Sequence, residues 1–240
     1  TGLSEDLGGS GDPSEVTSYG TYVGILSTVD FKLKKNNLNG LSIAIQGLGN
    51  VGMKLIEYLT KHDIKLYVSD IDEDKIDYCV SKYGAIGVSE KDIYDLNVDI
   101  YSPCALGNDI KLSMVKDMNC KIICGAANNQ IDLVDPDRTV EELVKKNILY
   151  IPDNLANVGG VFRSAGTILK SREESESFQL ITTIQPRTLK ILQIAENYNV
   201  APYEICRSMG KAITGESQNN YKLDIGGLGD VKFGNNTFTI

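Results

Sequence analysis

The segment LSIAIQGLGNVG, residues 41–52, carries the strongest indication of the fold. Residues 41–45 form a short apolar run typical of a buried strand, and Gly47, Gly49 and Gly52 follow it with the spacing G-x-G-x-x-G. In this spacing the first glycine makes a tight turn, the second lets the backbone approach a pyrophosphate, and the third allows close helix–strand contact. The stretch therefore predicts a strand, a phosphate-binding turn and a helix.

The sequence after the turn supports the same interpretation. Residues 51–61 carry apolar side chains on roughly one helical face, and a second apolar strand covers residues 64–69. That strand ends in Asp70, where a carboxylate accepts hydrogen bonds from an adenosine ribose and repels a 2′-phosphate. A glycine turn alone is weak evidence, because such turns are common. The flanking strands, the helix and the acid together favour a dinucleotide site over a purely structural turn.

Composition and charge exclude several classes of protein. The 240 residues are 42% hydrophobic and 23% charged, which is ordinary for a globular protein able to bury a sizeable core. No apolar run approaches the roughly 18 residues that a membrane helix needs. The net charge of −8 argues against a nucleic-acid or membrane surface as a general partner.

The cysteines and the single histidine argue against a disulfide framework and a metal site. An odd number of scattered cysteines without C-x-x-C spacing favours free thiols in a reducing cytoplasm; they are Cys79, Cys104, Cys120, Cys124 and Cys206. His62 lies among charged residues, so we expect it to be a solvated surface residue. A histidine-ligated metal and a histidine base are therefore not predicted.

The rest of the chain alternates helical and strand patterns. Ser14 is predicted to cap a long helix that runs to about Asn36, and a glycine-rich entry to a helix favours anions. The apolar periodicity of this helix comes from Val16, Tyr19, Tyr22, Val23, Leu26 and Val29. Further strands are predicted within residues 85–88, 98–101, 120–124 and 148–151, and further helices within 72–83, 187–198 and 202–213. This alternation predicts an α/β fold: a doubly wound, mostly parallel, Rossmann-like sheet with additional C-terminal helices.

The same patterns divide the chain into four segments. Residues 1–36 are predicted as an entry loop and a long helix that packs on the cofactor domain, and residues 37–160 as a Rossmann NAD-binding core. Residues 161–214 are predicted as C-terminal helices. Residues 215–240 are predicted as an irregular tail, in which residues 231–233 are a candidate strand.

Two turns follow predicted strands, at the edge of the sheet where doubly wound folds bind ligands. The first is the segment 102–107. The second, residues 125–130, has small residues followed by Asn128 and Asn129. This pattern favours backbone approaching a ligand and amides fixing its polar groups. Asparagine-rich segments are also common as plain turns, and the pattern alone leaves both interpretations open.

With these motifs in order, residues 8–214 resemble the cofactor-binding domain of the glutamate/leucine/phenylalanine/valine dehydrogenases, and within that family leucine dehydrogenase most. The resemblance rests on five motifs, which are residues 8–14 with Thr17, residues 46–51, residues 103–107, Asn129-Gln130, and Pro152-Asp153 followed by residues 157–161. It implies that the chain binds NAD. It also implies the reversible oxidative deamination of an L-amino acid, leucine-like, to a 2-oxo acid and ammonia.

The resemblance implies the residues of the adenosine half of the site. The pyrophosphate is implied to lie on Gly47, Leu48, Gly49, Asn50 and Val51. Asp70 and Ile71 match the adenosine side, with Asp70 resembling the acid of the members that prefer NAD. Cys104 and Ala105 match the adenosine ribose region, where they act by packing and backbone contacts.

The resemblance also implies the residues of the nicotinamide half. Asn128 and Asn157 match positions near the nicotinamide ribose and carboxamide. Thr17 and Asn129 match positions that face the nicotinamide and the amino-acid substrate. Glu15 stands where the family usually has proline or a small residue beside the substrate, Val158 replaces a usual alanine, and residues 162–164 replace an apolar-leaning stretch. These departures leave the amino acid that is recognised open.

In the family, a lysine and an aspartate transfer protons and a second lysine holds the substrate carboxylate, all in a domain that precedes the Gly8 motif. The sequence contains no glycine-rich lysine motif, so we expect the N-terminal catalytic domain to be absent, with no catalytic residue in this chain and no turnover by it alone. Substrate would then bind only when that domain completes the site. The family forms oligomers, and the assembly of this chain is left open. The alternative is a non-enzymatic module that binds NAD or a partner protein.

Overall fold

The structure, a computed structural model, describes residues 4, 11–161, 181–214, 230–233 and 236–239. Its main sheet has six strands: β1 Ser42–Gln46, β2 Lys65–Ser69, β3 Ile86–Gly87, β4 Ile100–Pro103, β5 Ile122–Ile123 and β6 Leu149–Tyr150. All neighbouring strands are parallel, in the order β3-β2-β1-β4-β5-β6. The order reverses between β1 and β4, which places a crevice beyond their carboxyl ends. The predicted doubly wound α/β fold is confirmed.

Eight helices are described around this sheet. They are α1 Ser14–Leu33, α2 Asn50–Leu59, α3 Glu73–Tyr83, α4 Leu112–Val115, α5 Pro136–Lys145, α6 Asp153–Ala156, α7 Ile184–Tyr198 and α8 Pro202–Thr214. None of the described helices is long and apolar enough to cross a membrane. All five cysteines are free thiols, as predicted.

The core lies on both faces of the sheet. Ile43 and Ile45 of β1 pack into the cluster that contains α1 and α2, whereas Ala44 packs into the cluster on the opposite face. Residues that alternate along a strand point to opposite faces, so a strand covered on both sides needs apolar residues throughout. This explains why residues 41–45 are a continuous apolar run.

Helix α1 has a different buried face from the one that its apolar periodicity predicts. Val16, Ile25 and Val29 are fully buried, but Tyr19, Tyr22, Val23 and Leu26 are only partly buried. The core side is instead completed by small polar residues: Ser18, Thr21, Ser27 and Thr28. Their hydroxyls donate to backbone carbonyls three or four residues earlier in the helix, and these bonds offset the cost of burial.

The ends of α1 also differ from the prediction. Ser14 is the first helical residue and Pro13 is the N-cap; the carboxylate of Asp12 accepts from the Ser14 backbone N at 2.9 Å. At the other end, Lys34 adopts a left-handed conformation with φ 55°, so the helix ends at Leu33 and not at Asn36. Positive φ cannot continue a right-handed helix.

The tail predicted as irregular contains two antiparallel strands, β7 Asp230–Phe233 and β8 Asn236–Thr239. The candidate strand at residues 231–233 lies inside β7. Apolar and polar residues alternate in Val231-Lys232-Phe233, and Gly234-Asn235 separates the two strands, which is a hairpin pattern. The departures noted at residues 162–164 lie outside the described residues.

Candidate functional site

Gly47 and Gly52 are explained by the packing of the chain itself. Gly47 follows β1 with φ +98°, and its amide N donates to the Ser69 carbonyl at 2.8 Å. A Cβ built on Gly47 would lie 2.6 Å from the Ala105 backbone N, and one on Gly52 would lie 2.1 Å from the Gly47 carbonyl oxygen. Both distances are far shorter than ordinary contact. The turn therefore needs glycine at both positions to bring β1, α2 and the loop after β4 together.

Gly49 has no such explanation. Its φ of −76° and ψ of −171° suit any residue, and a Cβ there would meet no heavy atom of the described residues within 4 Å. Gly49 is the N-cap of α2, and no described side chain caps this helix, so the N–H groups of its first turn point outward. A negatively charged group lying against this backbone would need both the open space and the donors. The turn thus fits a pyrophosphate.

Asp70, at the end of β2, is hydrogen-bonded to the backbone of the glycine turn. One carboxylate oxygen accepts from the Leu48 backbone N, and the other accepts from the Asp72 backbone N at 3.0 Å. The Asp70 side chain is only 9% exposed, and the Lys75 ammonium lies 3.9 Å from it. Each carboxylate oxygen can accept more than one hydrogen bond, so the ribose contact predicted for Asp70 stays compatible with these bonds. Ile71, predicted beside it, is 85% exposed.

The loop after β4 joins the two halves of the site. The Cys104 backbone N donates to the Gln46 carbonyl at 2.7 Å, and Ala105 touches Gly47. Gly107, with φ +95°, lies so close to Asn128 that a Cβ would be 1.9 Å from its carbonyl oxygen. Burial raises the pKa of the Cys104 thiol, which keeps it neutral and suits a packing role.

The two amides predicted on the nicotinamide side are in direct contact. The Asn157 Nδ2 group donates to Asn128 Oδ1 at 2.7 Å and to the Ala126 carbonyl at 3.1 Å. These bonds use neither the Asn128 NH₂ group nor Asn157 Oδ1. A ribose hydroxyl or a carboxamide can bond both groups.

Two further residues bond the backbone of residues 125–129. No role was predicted for either from the sequence, although both lie in motifs of the family resemblance. Gln130 is fully buried, and its NH₂ group donates to the carbonyls of Gly125 at 2.9 Å and Ala127 at 3.0 Å. Asp153 accepts from the Asn129 backbone N at 2.7 Å, where Asn129 has φ +49°. Gln130 therefore shapes the turn that leads to the amides, and Asp153 fixes the left-handed residue within it.

Thr17 lies against the segment that carries Asn157. The Thr17 hydroxyl donates to the Pro13 carbonyl at 2.9 Å. A Cβ on Gly160 would lie 2.6 Å from that hydroxyl oxygen, and a Cβ on Gly159 would lie 2.2 Å from the carbonyl oxygen of residue 16. The first turn of α1 therefore packs directly on the Gly159–Gly160 backbone.

His62 is not the solvated surface residue that the sequence predicts. It is partly buried, and its Nε2 lies 2.8 Å from the Tyr22 hydroxyl, because the end of α2 packs beside α1. Within the described parts of the chain, no group of three or more His, Cys, Asp or Glu side chains could hold a metal ion.

Comparison with known proteins gives one family. The sequence profile described as Glutamate/Leucine/Phenylalanine/Valine dehydrogenase matches residues 8–76 and 67–213. L-tryptophan dehydrogenase of Nostoc punctiforme is 35% identical over 210 residues, which are 88% of this chain and 58% of that protein. Leucine dehydrogenase of Thermoactinomyces intermedius is 35% identical over 203 residues, covering 85% of this chain and 54% of that protein.

Solved structures agree in fold. The crystal structure of the Nostoc punctiforme L-tryptophan dehydrogenase matches with a TM-score of 0.79 and 34% identity, over 88% of this chain and 63% of that one. A hetero-hexameric glutamate dehydrogenase of Thermus thermophilus matches with a TM-score of 0.63 over 85% of this chain and 52% of that chain. At 17% identity, the second match concerns the fold alone. The chain spans little more than half the length of these curated relatives.

Proposed function

Because this chain belongs to the Glutamate/Leucine/Phenylalanine/Valine dehydrogenase family, we propose that it is the NAD-binding part of an amino-acid dehydrogenase. The proposed reaction is the reversible oxidative deamination of an L-amino acid to a 2-oxo acid and ammonia. When bound, NAD supplies the acceptor for the substrate hydride, whereas the protein supplies binding and orientation. The acid–base residues are proposed to belong to a part of the protein outside these 240 residues, so this chain alone does not turn over substrate.

The proposal rests on one observation: Gly49 lies at the start of α2 although the described structure does not require glycine there. The backbone conformation at Gly49 suits any residue, and a Cβ would meet no described atom within 4 Å, so neither requires glycine. Glycine is tolerated as an N-cap, but serine, asparagine and aspartate are better caps because their side chains accept from the helix. Glycine also weakens a chain by adding entropy to its unfolded state. A pyrophosphate against the backbone at the uncapped start of α2 accounts for a glycine that the described contacts do not require.

The remaining roles follow the positions of the side chains. The backbone of Gly47, Leu48, Gly49, Asn50 and Val51 holds the pyrophosphate. On the adenosine side, Asp70 accepts from the ribose hydroxyls, Ile71 offers its exposed apolar side chain, and Cys104 and Ala105 pack beneath. On the nicotinamide side, the proposed contacts come from Asn128 and Asn157, with Thr17 and Asn129 facing the substrate.

We propose NAD over NADP as the cofactor. A 2′-phosphate would bring negative charge to the end of β2, where the Asp70 carboxylate is held in place by two backbone N–H groups. Lys75 is the nearby cation, but its ammonium lies closer to Asp72, at 3.4 Å, than to Asp70. Like charges in a partly buried site repel strongly.

The substrate is proposed to be an apolar L-amino acid, leucine-like. The support comes from the names of the relatives, which include leucine, tryptophan and phenylalanine dehydrogenases. The cytoplasm is proposed as the compartment, because all five thiols are free. Oligomer formation is proposed from the family, in which a solved glutamate dehydrogenase is hetero-hexameric, and the assembly of this chain stays open.

The proposal is tested by mixing the chain with NADH and following nicotinamide fluorescence, then adding NAD with leucine, tryptophan or phenylalanine and following NADH formation. We expect saturable NADH binding and no NADH formation. Measurable oxidation of any of the three amino acids would contradict the assignment of the acid–base residues to another part of the protein. Failure to bind NADH would contradict the cofactor assignment itself.

A further inference from the structure

The first turn of α1 is tied to α2 by a cluster of three polar side chains. Glu15 accepts from the Lys54 ammonium at 2.9 Å with one carboxylate oxygen and from the Tyr58 hydroxyl with the other. The hydrogen bonds from Tyr58 and Lys54 lower the pKa of the Glu15 carboxyl, so it is charged at neutral pH. Glu15 stands where the family resemblance leads us to expect a proline or a small residue beside the substrate, but its carboxylate reaches α2.

The two helices run side by side in the same direction. Glu15 meets Lys54 near their N-terminal ends, and Tyr22 meets His62 at 2.8 Å further along both. Between these pairs, the ring centroids of Tyr22 and Tyr58 lie 5.5 Å apart. Both helices therefore begin at the carboxyl edge of the sheet, where α2 starts at the glycine turn.

The opposite side of the same α1 turn faces the nicotinamide half of the site. Its backbone and the Thr17 hydroxyl press on Gly159 and Gly160, so closely that neither glycine has room for a Cβ. These glycines follow Asn157, which is hydrogen-bonded to Asn128. The first turn of α1 thus lies between the helix that would hold the pyrophosphate and the segment that would hold the nicotinamide.

We propose that Glu15 is a positioning residue, which sets the nicotinamide half of the site relative to the glycine turn by tying the first turn of α1 to Lys54 and Tyr58. This inference rests on the proposed function. The Glu15 carboxylate is bonded to Lys54 and Tyr58, so in this proposal it acts on the site through Thr17, Gly159 and Gly160. Loss of the Glu15 bonds to Lys54 and Tyr58 should therefore weaken contacts to the nicotinamide end and leave contacts to the adenosine and pyrophosphate unchanged.

The test compares two probes, NADH and ADP-ribose, which lacks the nicotinamide. For Glu15→Ala we expect the NADH Kd to rise about fivefold, the order of effect of residues that act through a packed element, with the ADP-ribose Kd unchanged. Glu15→Gln keeps an oxygen acceptor for Tyr58 and should restore part of the NADH affinity. Glu57→Gln, at an exposed position of α2 three residues after Lys54, is the matched control and should alter neither Kd.

Several outcomes would overturn the proposal. An equal loss of both affinities would mean that Glu15 supports the site as a whole, and a lower Tm with unchanged Kd values would mean a purely structural role. Should Glu15→Ala fail to fold, Lys54→Met removes only the ion pair and must weaken NADH selectively for the proposal to stand. If the unmodified chain binds neither NADH nor ADP-ribose, the proposed function and this inference are both overturned; if it binds the two with equal affinity, only this inference is overturned.

Discussion

Replacing Gly49 with alanine should change cofactor affinity much more than it changes the stability of the fold. The backbone at Gly49 suits alanine, and the new methyl group would meet no described atom within 4 Å. Lower entropy of the unfolded chain should stabilise the variant by about 0.4–1 kcal/mol. Alanine is a poorer N-cap than glycine, which should cost about 0.5–1 kcal/mol. The free energy of unfolding should therefore stay within about 1 kcal/mol of the unmodified value.

The same methyl group should strongly weaken cofactor binding. A pyrophosphate packed against the backbone of residue 49 would meet it directly. Overpacking of this kind costs about 1–3 kcal/mol, which corresponds to about a 5- to 160-fold rise in the NADH Kd. The assay is urea unfolding for stability and titration with NADH, followed by nicotinamide fluorescence, for affinity.

Gly210→Ala is the matched control. Gly210 lies in α8, and a Cβ there also meets no heavy atom within 4 Å among the described parts of the chain. We expect it to stabilise the chain by about 0.5–1 kcal/mol, because glycine is unfavourable within a helix, and to leave NADH binding unchanged. If Gly49→Ala binds NADH as well as the unmodified chain, the pyrophosphate does not lie against residue 49, and the main support for the cofactor site is lost.

Two further predictions concern stability. Gln130→Met should destabilise the chain by about 1–3 kcal/mol, because two buried backbone carbonyls on the turn before Asn128 lose their donor. Urea unfolding measures this loss of stability, and an unchanged urea midpoint would contradict the role of Gln130. Burial raises the pKa of Asp99, but hydrogen bonds from Lys121 and Ser42 outweigh it, so its pKa is lowered. A lowered carboxyl pKa stabilises the fold above the unfolded value near 3.9, and this contribution is lost as pH falls through the folded pKa. Asp99→Asn should therefore lose stability at pH 7 and show a smaller difference in urea midpoint between pH 7 and pH 3; an equally large difference would refute it.

The parts of the fold that were predictable are those encoded by neighbouring residues. The strand at residues 41–45, the glycine turn and helix α2 follow one another along the chain, so spacing and periodicity suffice to predict them. Helix α1 is predicted correctly as a helix, but the set of residues predicted to form its buried face is wrong. Apolar periodicity counts only apolar side chains, whereas Ser18, Thr21, Ser27 and Thr28 are buried with their hydroxyls bonded to their own helix.

The candidate site was predictable as a set of positions, and its supporting contacts were not. Asp70 was predicted as a ligand of the ribose, but its bond to the Leu48 backbone joins residues 22 positions apart. Asn129 and Asp153 are 24 positions apart, and Glu15 and Lys54 are 39 apart. Such pairs depend on strand order and on the rotation of each helix, which local patterns do not encode.

A calorimetric titration of this chain with NADH, repeated with NADPH, tests the assignment of an NAD site. We predict saturable binding of NADH at one site. NADPH should bind about tenfold or more weakly, because its 2′-phosphate meets the Asp70 carboxylate and like charges brought together cost several kcal/mol. Equal binding of both would contradict the role of Asp70. Binding of neither would contradict the dinucleotide site, and the dehydrogenase family would then describe the ancestry of the chain only.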